Sequence, residues 1–206
     1  MDLFTNPDLF RIIDEYTDLR SLCDTSVLFA SLKQYINYKL NEKYSFMYYD
    51  DISFRNTILS KIYNSYKQLH INLKYYDITG ISALGKVHTL ILSHCKITDV
   101  SALGKVHTLN LSCCDITDVS ALGYVHTLRL SRCKNIKDVS ALGKVYNLDL
   151  SHCKQIEDVS ALGKVHTLDL TNCDITNVNA LGKVHTLDLT DCEYIKDVNA
   201  LGNVYD

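Results

Sequence analysis

The tripeptide Ala-Leu-Gly recurs along the second part of the chain, and this repetition constrains the fold more than any other feature of the sequence. Its copies begin at Ala83, Ala102, Ala121, Ala141, Ala161, Ala180 and Ala200, at intervals of 19, 19, 20, 20, 19 and 20 residues. A fixed period of this length is typical of repeat proteins in which each unit packs only against its neighbours. The sequence therefore predicts a solenoid over residues 69–206.

Each unit contains the pattern of one short strand. In the unit that starts at Val87, Leu90 and Leu92 are two residues apart, so an extended chain places both on one side and Ile91 on the other. A lone strand of this kind cannot bury its apolar side, but six parallel strands stacked on one another bury a continuous row of leucines. The longer units carry their extra residue after the cysteine, where it leaves the strand register unchanged.

The connection between units is too short for a full helix. Asp99 can accept hydrogen bonds from backbone N–H groups two or three residues later, and Gly104 predicts a positive φ at the end of a single helical or 3₁₀ turn. Residues 69–78 keep the strand pattern but have Tyr76 in place of the cysteine, which predicts a degenerate capping repeat. An incomplete repeat follows the last regular strand, and we expect its uncapped edge to allow self-association.

The line from residue 87 to residue 97, Val-His-Thr-Leu-Ile-Leu-Ser-His-Cys-Lys-Ile, resembles the leucine-rich repeat, L-x-x-L-x-L-x-x-N/C-x-L. This resemblance implies an α/β solenoid of short repeats, 19–20 residues each, with a parallel β-sheet on the concave face. The concave surface is the usual binding surface of such solenoids.

Six cysteines occupy the ninth position of successive units: Cys95, Cys114, Cys133, Cys153, Cys173 and Cys192. Neighbouring strands are ~4.8 Å apart, and parallel Cβ vectors at that distance do not suit a disulfide. A straight column does not suit a tetrahedral metal ion either. We therefore expect buried reduced thiols that bond backbone groups at the turn, and hence a cytoplasmic protein.

Histidines form a second column just before the strands, at His88, His107, His126, His166 and His185, and Tyr146 is expected to break it. One interpretation is a metal strip or a pH-sensitive face, because stacked imidazoles repel one another once protonated. The other is a surface residue copied by repeat duplication. We favour the second, because no carboxylates stand at a fixed spacing to complete a ligand set. We expect no metal and no cofactor.

Comparison among the units separates a constant scaffold from two variable positions. The residue between the strand leucines reads Ile91, Asn110, Arg129, Asp149, Asp169 and Asp188, and the residue before the cysteine reads His94, Cys113, Arg132, His152, Asn172 and Asp191. Both sets are expected on the concave face, as an apolar-to-basic-to-acidic gradient that binds a protein target. An uncompensated acidic strip suggests a basic partner segment, and the arginines an acidic one. Drift at solvent positions after duplication is the alternative.

Composition and motifs exclude several other functions. The net charge is -3, so the chain lacks the excess of lysine and arginine that favours nucleic-acid or membrane-surface binding. We expect no leader and no membrane span. The sequence contains no P-loop, G-x-S-x-G, H-E-x-x-H or C-x-x-C motif. We therefore do not expect an enzyme.

Residues 1–68 carry no repeat and have helical patterns. The lines Pro7-Asp8-Leu9-Phe10-Arg11-Ile12-Ile13 and Asp18-Leu19-Arg20-Ser21-Leu22-Cys23 resemble an F-box, and the whole chain resembles the F-box-like and leucine-rich-repeat families of giant DNA viruses. The residues that match the adaptor-facing apolar positions of the F-box are Pro7, Leu9, Ile12, Ile13, Leu19 and Leu22. The resemblance implies a substrate receptor for a cullin-based ubiquitin ligase in the host cytoplasm. A Skp-type adaptor would bind at the N-terminus, and the target would bind on the concave face.

The predicted organisation has three parts. An F-box-like helical segment spans residues 1–52, a helix over 53–68 caps the solenoid, and the repeats span 69–206. In the alternative, the protein is a stand-alone binding or structural solenoid whose N-terminal helices only cap the first repeat. An exposed apolar helical patch would favour the adaptor-binding hypothesis.

Overall fold

The computed structural model describes residues 38–40, 42–61, 69–78 and 80–202. Their centre is one parallel sheet of eight strands that lie side by side in chain order. The strands are β1 (Tyr38–Lys39), β2 (Leu69–Asn72), β3 (Thr89–Ile91), β4 (Thr108–Asn110), β5 (Thr127–Arg129), β6 (Asn147–Asp149), β7 (Thr167–Asp169) and β8 (Thr186–Asp188). This sheet confirms the predicted solenoid of short α/β repeats.

The leucines of the strands form the centre of the core. Leu90 pairs with Leu109 on the next strand, and Leu128 pairs with Leu148 across the first of the longer units. Side chains of all four are at most 2% exposed. The register from β5 to β6 confirms that the extra residue after the cysteine does not disturb the sheet.

One 3₁₀ turn precedes each strand from β3 onward, and a further turn follows β8. The turns are Ser82–Leu84, Ser101–Leu103, Ser120–Leu122, Ser140–Leu142, Ser160–Leu162, Asn179–Leu181 and Asn199–Leu201. The predicted aspartate bond is present, since the N–H of Ser101 donates to Oδ1 of Asp99 at 2.9 Å. The bonds from Ser101 lower the pKa of the Asp99 carboxyl. An acidic side chain thus fixes the start of the turn.

The glycine that ends each 3₁₀ turn has a negative φ, -62° at Gly104, so the prediction of a positive φ there is wrong. The glycine is needed for a different reason. A Cβ on Gly104 would lie 2.2 Å from the carbonyl oxygen of Ala121, and one on Gly143 would lie 2.3 Å from that of Ala161. Successive repeats pack too closely at this point for any side chain.

Positive φ occurs instead at the residue before the cysteine. Among the described residues other than glycine, φ lies between 55° and 67° at Tyr75, His94, Cys113, Arg132, His152, Asn172 and Asp191. Each of these residues sits in a turn, which the N–H of Cys133 closes on the carbonyl oxygen of Leu130 at 3.0 Å in one example. A non-glycine residue in this conformation costs about 1–2 kcal/mol, so contacts elsewhere in the turn must offset it.

The described residues between β1 and β2 form two helices, α1 (Glu42–Asp50) and α2 (Ile52–Lys61). Tyr48 of α1 is buried together with Leu40 at the end of the core. The hydroxyl of Ser45 donates to the carbonyl oxygen of Leu40 and accepts the N–H of Asn72, both at 3.2 Å. Helix α1 therefore covers this end of the sheet, a role that the sequence analysis assigned to a helix over 53–68.

Helix α2 is the described part of that predicted helix. It packs on α1, where the rings of Tyr44 and Phe54 stack with centroids 5.9 Å apart. Within the described residues the first strand of the sheet is β1, which pairs with β2, whereas the sequence predicted the first strand within residues 69–78. The domain boundaries at residues 52 and 68 stay predictions.

Residues 7–23, which carry the F-box resemblance and all the predicted adaptor-binding residues, lie outside the described residues, as do residues 62–68. The described part of the predicted segment 1–52 contains β1 and α1. None of the described helices is both long enough and apolar enough to cross a membrane.

Candidate protein-binding face

The side of the sheet opposite the buried leucines is accessible, and we call it the open face. One residue from each strand β2 to β8 forms a central column on this face: Asn72, Ile91, Asn110, Arg129, Asp149, Asp169 and Asp188. Their side chains are half-buried or exposed. Six of the predicted partner-binding residues therefore lie in register on one surface.

The acidic and amide members of the central column also hold the turn that follows each strand. Backbone N–H groups donate to their Oδ1 atoms, from Ser112 to Asn110, from Ser151 to Asp149, from Thr171 to Asp169 and from Thr190 to Asp188, at 2.9–3.0 Å. Hydrogen bonds from Thr190 lower the pKa of Asp188. The acidic strip is thus partly compensated by donors within the chain, contrary to the expectation of an uncompensated strip. Ile91 and Arg129 cannot accept such a bond.

The second variable set lies in the turns after the strands rather than in the strands. We call it the edge column: Tyr75, His94, Cys113, Arg132, His152, Asn172 and Asp191. Neighbours in this column contact one another. The rings of Tyr75 and His94 stack at 4.7 Å, and Nδ1 of His152 lies 3.0 Å from Nδ2 of Asn172. The edge column therefore borders the open face where the strands end.

Arg129 and Arg132 are the two arginines that these columns contribute, and both are exposed. Within the described part of the chain, neither has a carboxylate partner within the 4.0 Å that defines an ion pair. Arg132 also holds a positive φ of 62°, where glycine or asparagine would cost less. The turn alone does not account for an arginine at this position.

The cysteines form an inward column, as predicted. Sγ of Cys114 donates to the carbonyl oxygen of Leu92 and Sγ of Cys133 to that of Leu111, both at 3.2 Å. Equivalent bonds of 3.0–3.2 Å occur at Cys95, Cys153, Cys173 and Cys192. Burial raises the pKa of Cys114 and of Cys133 to about 12. These thiols are free, protonated and structural.

The histidines form a continuous stack that we call the ring column. It consists of His70, His88, His107, His126, Tyr146, His166 and His185, with centroids 4.4–5.8 Å apart. Tyr146 stacks between His126 and His166 at 4.9 and 4.4 Å, so the expectation that it breaks the column is wrong. Sequence inspection also missed His70, because it lies one register position further along its strand.

The ring geometry argues against the metal-strip interpretation. His88 and His107 are nearly parallel, with an interplanar angle of 13°, and Nδ1 of His107 pairs with the hydroxyl of Thr108 at 3.3 Å. Two imidazoles that share an ion must instead point their nitrogens at one centre about 2.0–2.1 Å away. No group of three or more potential ligands occurs among the residues that the structure describes.

A lysine row was missed by the sequence analysis. Lysine follows the Ala-Leu-Gly glycine at Lys86, Lys105, Lys144, Lys164 and Lys183, whereas Tyr124 and Asn203 follow the other two copies. The five lysines and Tyr124 are exposed, and Nζ of Lys144 lies 4.9 Å from the ring centroid of Tyr124. The recurrence of Gly-Lys-Val in the alignment of the units is the signal that could have found it.

Comparison with known proteins agrees with this geometry. The leucine-rich-repeat family model matches residues 86–104 and 105–123. The fold is a leucine-rich-repeat solenoid. No curated protein matches the sequence significantly.

Two internalins of Listeria monocytogenes have structures similar to this one. The internalin InlF is 27% identical with a TM-score of 0.52, and the match covers 64% of this chain and 42% of that one. Internalin C2 is 25% identical with a TM-score of 0.55, and the match covers 66% of each chain. The chain thus spans less than half the length of the first internalin and about two thirds of the second.

Proposed function

We propose that this leucine-rich-repeat chain is a protein-binding scaffold rather than an enzyme, and that a protein target lies on its open face. The observation that carries this proposal is the contrast between constant and variable columns in one register. The buried leucines and cysteines repeat in every regular unit, whereas the edge column changes at each step and the central column changes from β2 to β6 before it stays aspartate through β8. Extended surfaces of this kind are the usual binding surfaces of solenoids.

Some residues of the open face and its edge have no role in the turns, and these residues indicate where a partner would bind. Asn110 and Asp169 serve the turn through Oδ1, so their identity follows from a local hydrogen bond. Ile91, Arg129 and Arg132 make no such bond and are free to contact a partner. We therefore expect the target to place an acidic segment near the arginines and basic groups near Asp169 and Asp188.

The test compares partners recovered by three forms of the immobilised chain. Wild type, Arg129→Glu/Arg132→Glu and the control Lys105→Glu/Lys164→Glu are incubated with the same cell extract, and bound proteins are quantified by mass spectrometry. Both variants change the charge by the same amount, and circular dichroism checks their fold. We expect the first variant to lose partners that the control retains. Equal recovery of partner proteins by both variants would exclude the open face as the binding surface.

The finer form of the proposal is an F-box-type substrate receptor for a cullin-based ubiquitin ligase. It rests on the resemblance of residues 7–23 to an F-box. The capping contacts of Tyr48 and Ser45 in α1, which lies within residues 1–52, instead support the alternative that the N-terminal helices cap the solenoid. A stand-alone solenoid remains the competing proposal.

Co-purification with a eukaryotic Skp-type adaptor separates these two proposals. The full chain is compared with a Pro7→Ala/Leu9→Asp/Ile12→Asp variant, and circular dichroism checks that the variant is folded. Binding by the wild type and loss of binding in the folded variant would support the F-box role. No binding by the wild type would leave a scaffold without a link to ubiquitin.

We further propose that the protein resides in a reducing compartment such as the cytoplasm. For a viral protein this compartment would be the cytoplasm of the host. The free thiols of the cysteine column support it, because thiols persist where glutathione and thioredoxin keep them reduced. Fractionation of cells that express the tagged chain tests this proposal.

A further inference from the structure

Basic side chains converge at one place along the edge of the open face. Arg132, Lys134, His152, Lys154 and Gln155 line a cavity of 600 Å³. The first two residues belong to the repeat of β5 and the other three to the repeat of β6. We call this cavity the basic pocket.

The basic pocket is not a product of the repeat pattern. The repeats on either side place Cys113 with Asp115, and Asn172 with Asp174, at the positions that hold Arg132 with Lys134 and His152 with Lys154. Duplication would have copied a uniform pair of residues along the solenoid. The repeat of β3 also has a basic pair, His94 with Lys96, but its neighbours place Asp77 and Asp115 beside it, so basic pairs lie side by side only in the repeats of β5 and β6.

The lysines of the pocket are carried by turns that the shorter repeats lack. The extra residue in each of these units lets the N–H of Ile136 reach the carbonyl oxygen of Cys133 at 3.4 Å, and that of Ile156 reach Cys153 at 3.3 Å. The third longer unit has Glu193 at the position of Lys134 and Lys154. The longer unit does not itself require a cation there.

The positive charges of the pocket are only partly neutralised inside the chain. Within the described part of the chain, the side chains of Arg132 and Lys134 make no ion pair or hydrogen bond. Lys154 has one carboxylate neighbour, since its Nζ lies 3.7 Å from Oδ1 of Asp174. The equivalent Lys96 of an earlier repeat has a similar carboxylate neighbour, since its Nζ lies 3.8 Å from Oδ2 of Asp77.

We propose that the basic pocket binds a phosphate monoester on the target protein, so that the open face recognises a phosphorylated segment. This proposal deepens the proposed function and rests on it. A guanidinium can hold two phosphate oxygens at once, and Lys134 and Lys154 add point charges. A phosphate monoester carries a charge of about -1.5 to -2 at neutral pH, which matches several cations better than one carboxylate does.

The surroundings of the pocket favour one anionic group over a polyanion. Asp149, Asp169 and Asp188 continue the open face beyond it, and a nucleic acid or other extended polyanion would be repelled there. A peptide that crosses the strands instead meets these carboxylates one repeat at a time, at ~4.8 Å intervals. We therefore expect basic residues roughly two to four positions from the phosphate, on the side of β7 and β8.

The first experiment uses a fluorescein-labelled peptide with a central phosphoserine followed by two lysines in the next four residues. Fluorescence anisotropy with the full chain is compared for this peptide, its unphosphorylated form and a glutamate form. We expect the phosphorylated peptide to bind about tenfold tighter than either. Failure of the phosphorylated peptide to bind, or equal affinity of all three, would overturn the proposal.

Matched variants locate the binding site. Arg132→Ala/Lys134→Ala is expected to weaken phosphopeptide binding about tenfold or more, whereas Lys105→Ala/Lys164→Ala, which removes the same charge from the lysine row, has little effect. Equal losses in both variants would reduce the interaction to non-specific charge attraction and overturn the proposal. Competition by inorganic phosphate is expected only at far higher concentrations than the peptide, because it lacks the contacts to the acidic column. If free phosphate competes at peptide-like concentrations, the pocket binds the ion and not a phosphorylated segment.

A second readout separates this proposal from the proposed function. Partners recovered by the wild-type chain are compared after phosphatase treatment of the extract. Loss of the same partners after treatment and in Arg132→Ala/Lys134→Ala supports phosphate recognition. Recovery that is insensitive to phosphatase but lost in Arg129→Glu/Arg132→Glu keeps the scaffold proposal and overturns the phosphate proposal.

Discussion

Cys113 and Cys114 are neighbours in the chain, yet one lies in the variable edge column and the other in the constant core. Cys114 points into the core, where its thiol is 1% exposed and donates to the carbonyl oxygen of Leu92. Cys113 lies in the edge column, half-buried, with a φ of 61°. Every regular repeat keeps the inner cysteine, whereas the outer position changes each time. The inner residue is determined by contacts between repeats, and the outer residue is left open to a partner.

The glycines extend the same contrast. Gly143 is required because a Cβ would meet the backbone of the next repeat, and no flexible side chain is there to move aside. The edge column, where backbone conformation would favour glycine, contains none among the described residues. Six of the glycines thus allow close approach between repeats, whereas residues with side chains hold the strained conformation at the edge column.

The largest effect is expected from a substitution at the close contact between two repeats. Gly143→Ala should lower the free energy of unfolding by roughly 3 kcal/mol or more, because the new methyl group would lie 2.3 Å from the carbonyl oxygen of Ala161. The measurement is urea unfolding followed by circular dichroism. Gly202→Ala is the matched control, since its nearest neighbour would be the carbonyl oxygen of Asn199 at 3.9 Å. Equal destabilisation by both would show that the contact between repeats is not the reason for glycine.

The adjacent cysteines provide the next comparison. Cys114→Ala should cost about 1–2 kcal/mol, because it removes a buried hydrogen bond and leaves a small cavity. Cys113→Ala should change stability by less than about 0.5 kcal/mol. Chemical unfolding of the two variants measures the difference, and a cost at residue 113 as large as that at 114 would remove the distinction between the columns.

Thiol labelling sharpens this comparison without mutation. Burial raises the pKa of Cys114 to about 12, so the folded protein holds almost no thiolate there. Brief treatment with iodoacetamide at about pH 8, followed by peptide mass spectrometry, should modify Cys113 and spare Cys114. Modification of Cys114 in the native protein would contradict its inward position.

A smaller effect is expected from pH on the ring column. Burial and the neighbouring His126 lower the pKa of His107, so the unfolded chain binds a proton more readily than the folded one. The stability from this histidine is complete above its unfolded pKa of about 6.5 and is lost as pH falls through the lower folded value. The melting temperature should therefore decrease between about pH 7.5 and about pH 5.

Tyr146 limits this sensitivity because its phenol ring, rather than another imidazole, lies between His126 and His166 and separates two groups of stacked imidazoles. Tyr146→His should increase the loss of melting temperature on acidification. Tyr124→His adds a histidine outside the column and should change it less. Identical pH profiles for the two variants would mean that stacking does not couple the imidazoles.

The smallest effect concerns strain in the edge column. Cys113→Gly should raise the free energy of unfolding by less than about 1 kcal/mol, because glycine adopts a φ of 61° without cost. Ser112→Gly, one residue earlier and without a positive φ, should lower it. Thermal unfolding of both variants is the measurement, and a destabilised Cys113→Gly variant would show that the thiol side chain contributes more than the strain costs.

The repeat period predicted the sheet, its register and the cysteine column, because each follows from residues that recur in every unit. The cap was not predictable in the same way. Strand β1 has only two residues, and α1 shows no repeat pattern, so their positions depend on contacts such as the burial of Tyr48. The location of positive φ was predicted wrongly because glycine usually signals it, whereas these glycines serve close packing.

The candidate site, too, could be predicted from the sequence only in part. Alternation along the strands placed the central column, but the structural use of Asp149 and Asp169 depends on a backbone N–H two residues later. The basic pocket escaped the sequence analysis because it combines two repeat positions, on two adjacent repeats, with turns created by an extra residue. Aligning the residues on both sides of the cysteine would have revealed its charge.

The extra residue of the longer units has a consequence for engineering. Insertions at Asn135 and Gln155 leave the pairing of Leu128 with Leu148 and of Leu148 with Leu168 intact. The point between cysteine and isoleucine is therefore a natural place for grafted loops, which could be lengthened in one repeat without altering its neighbours.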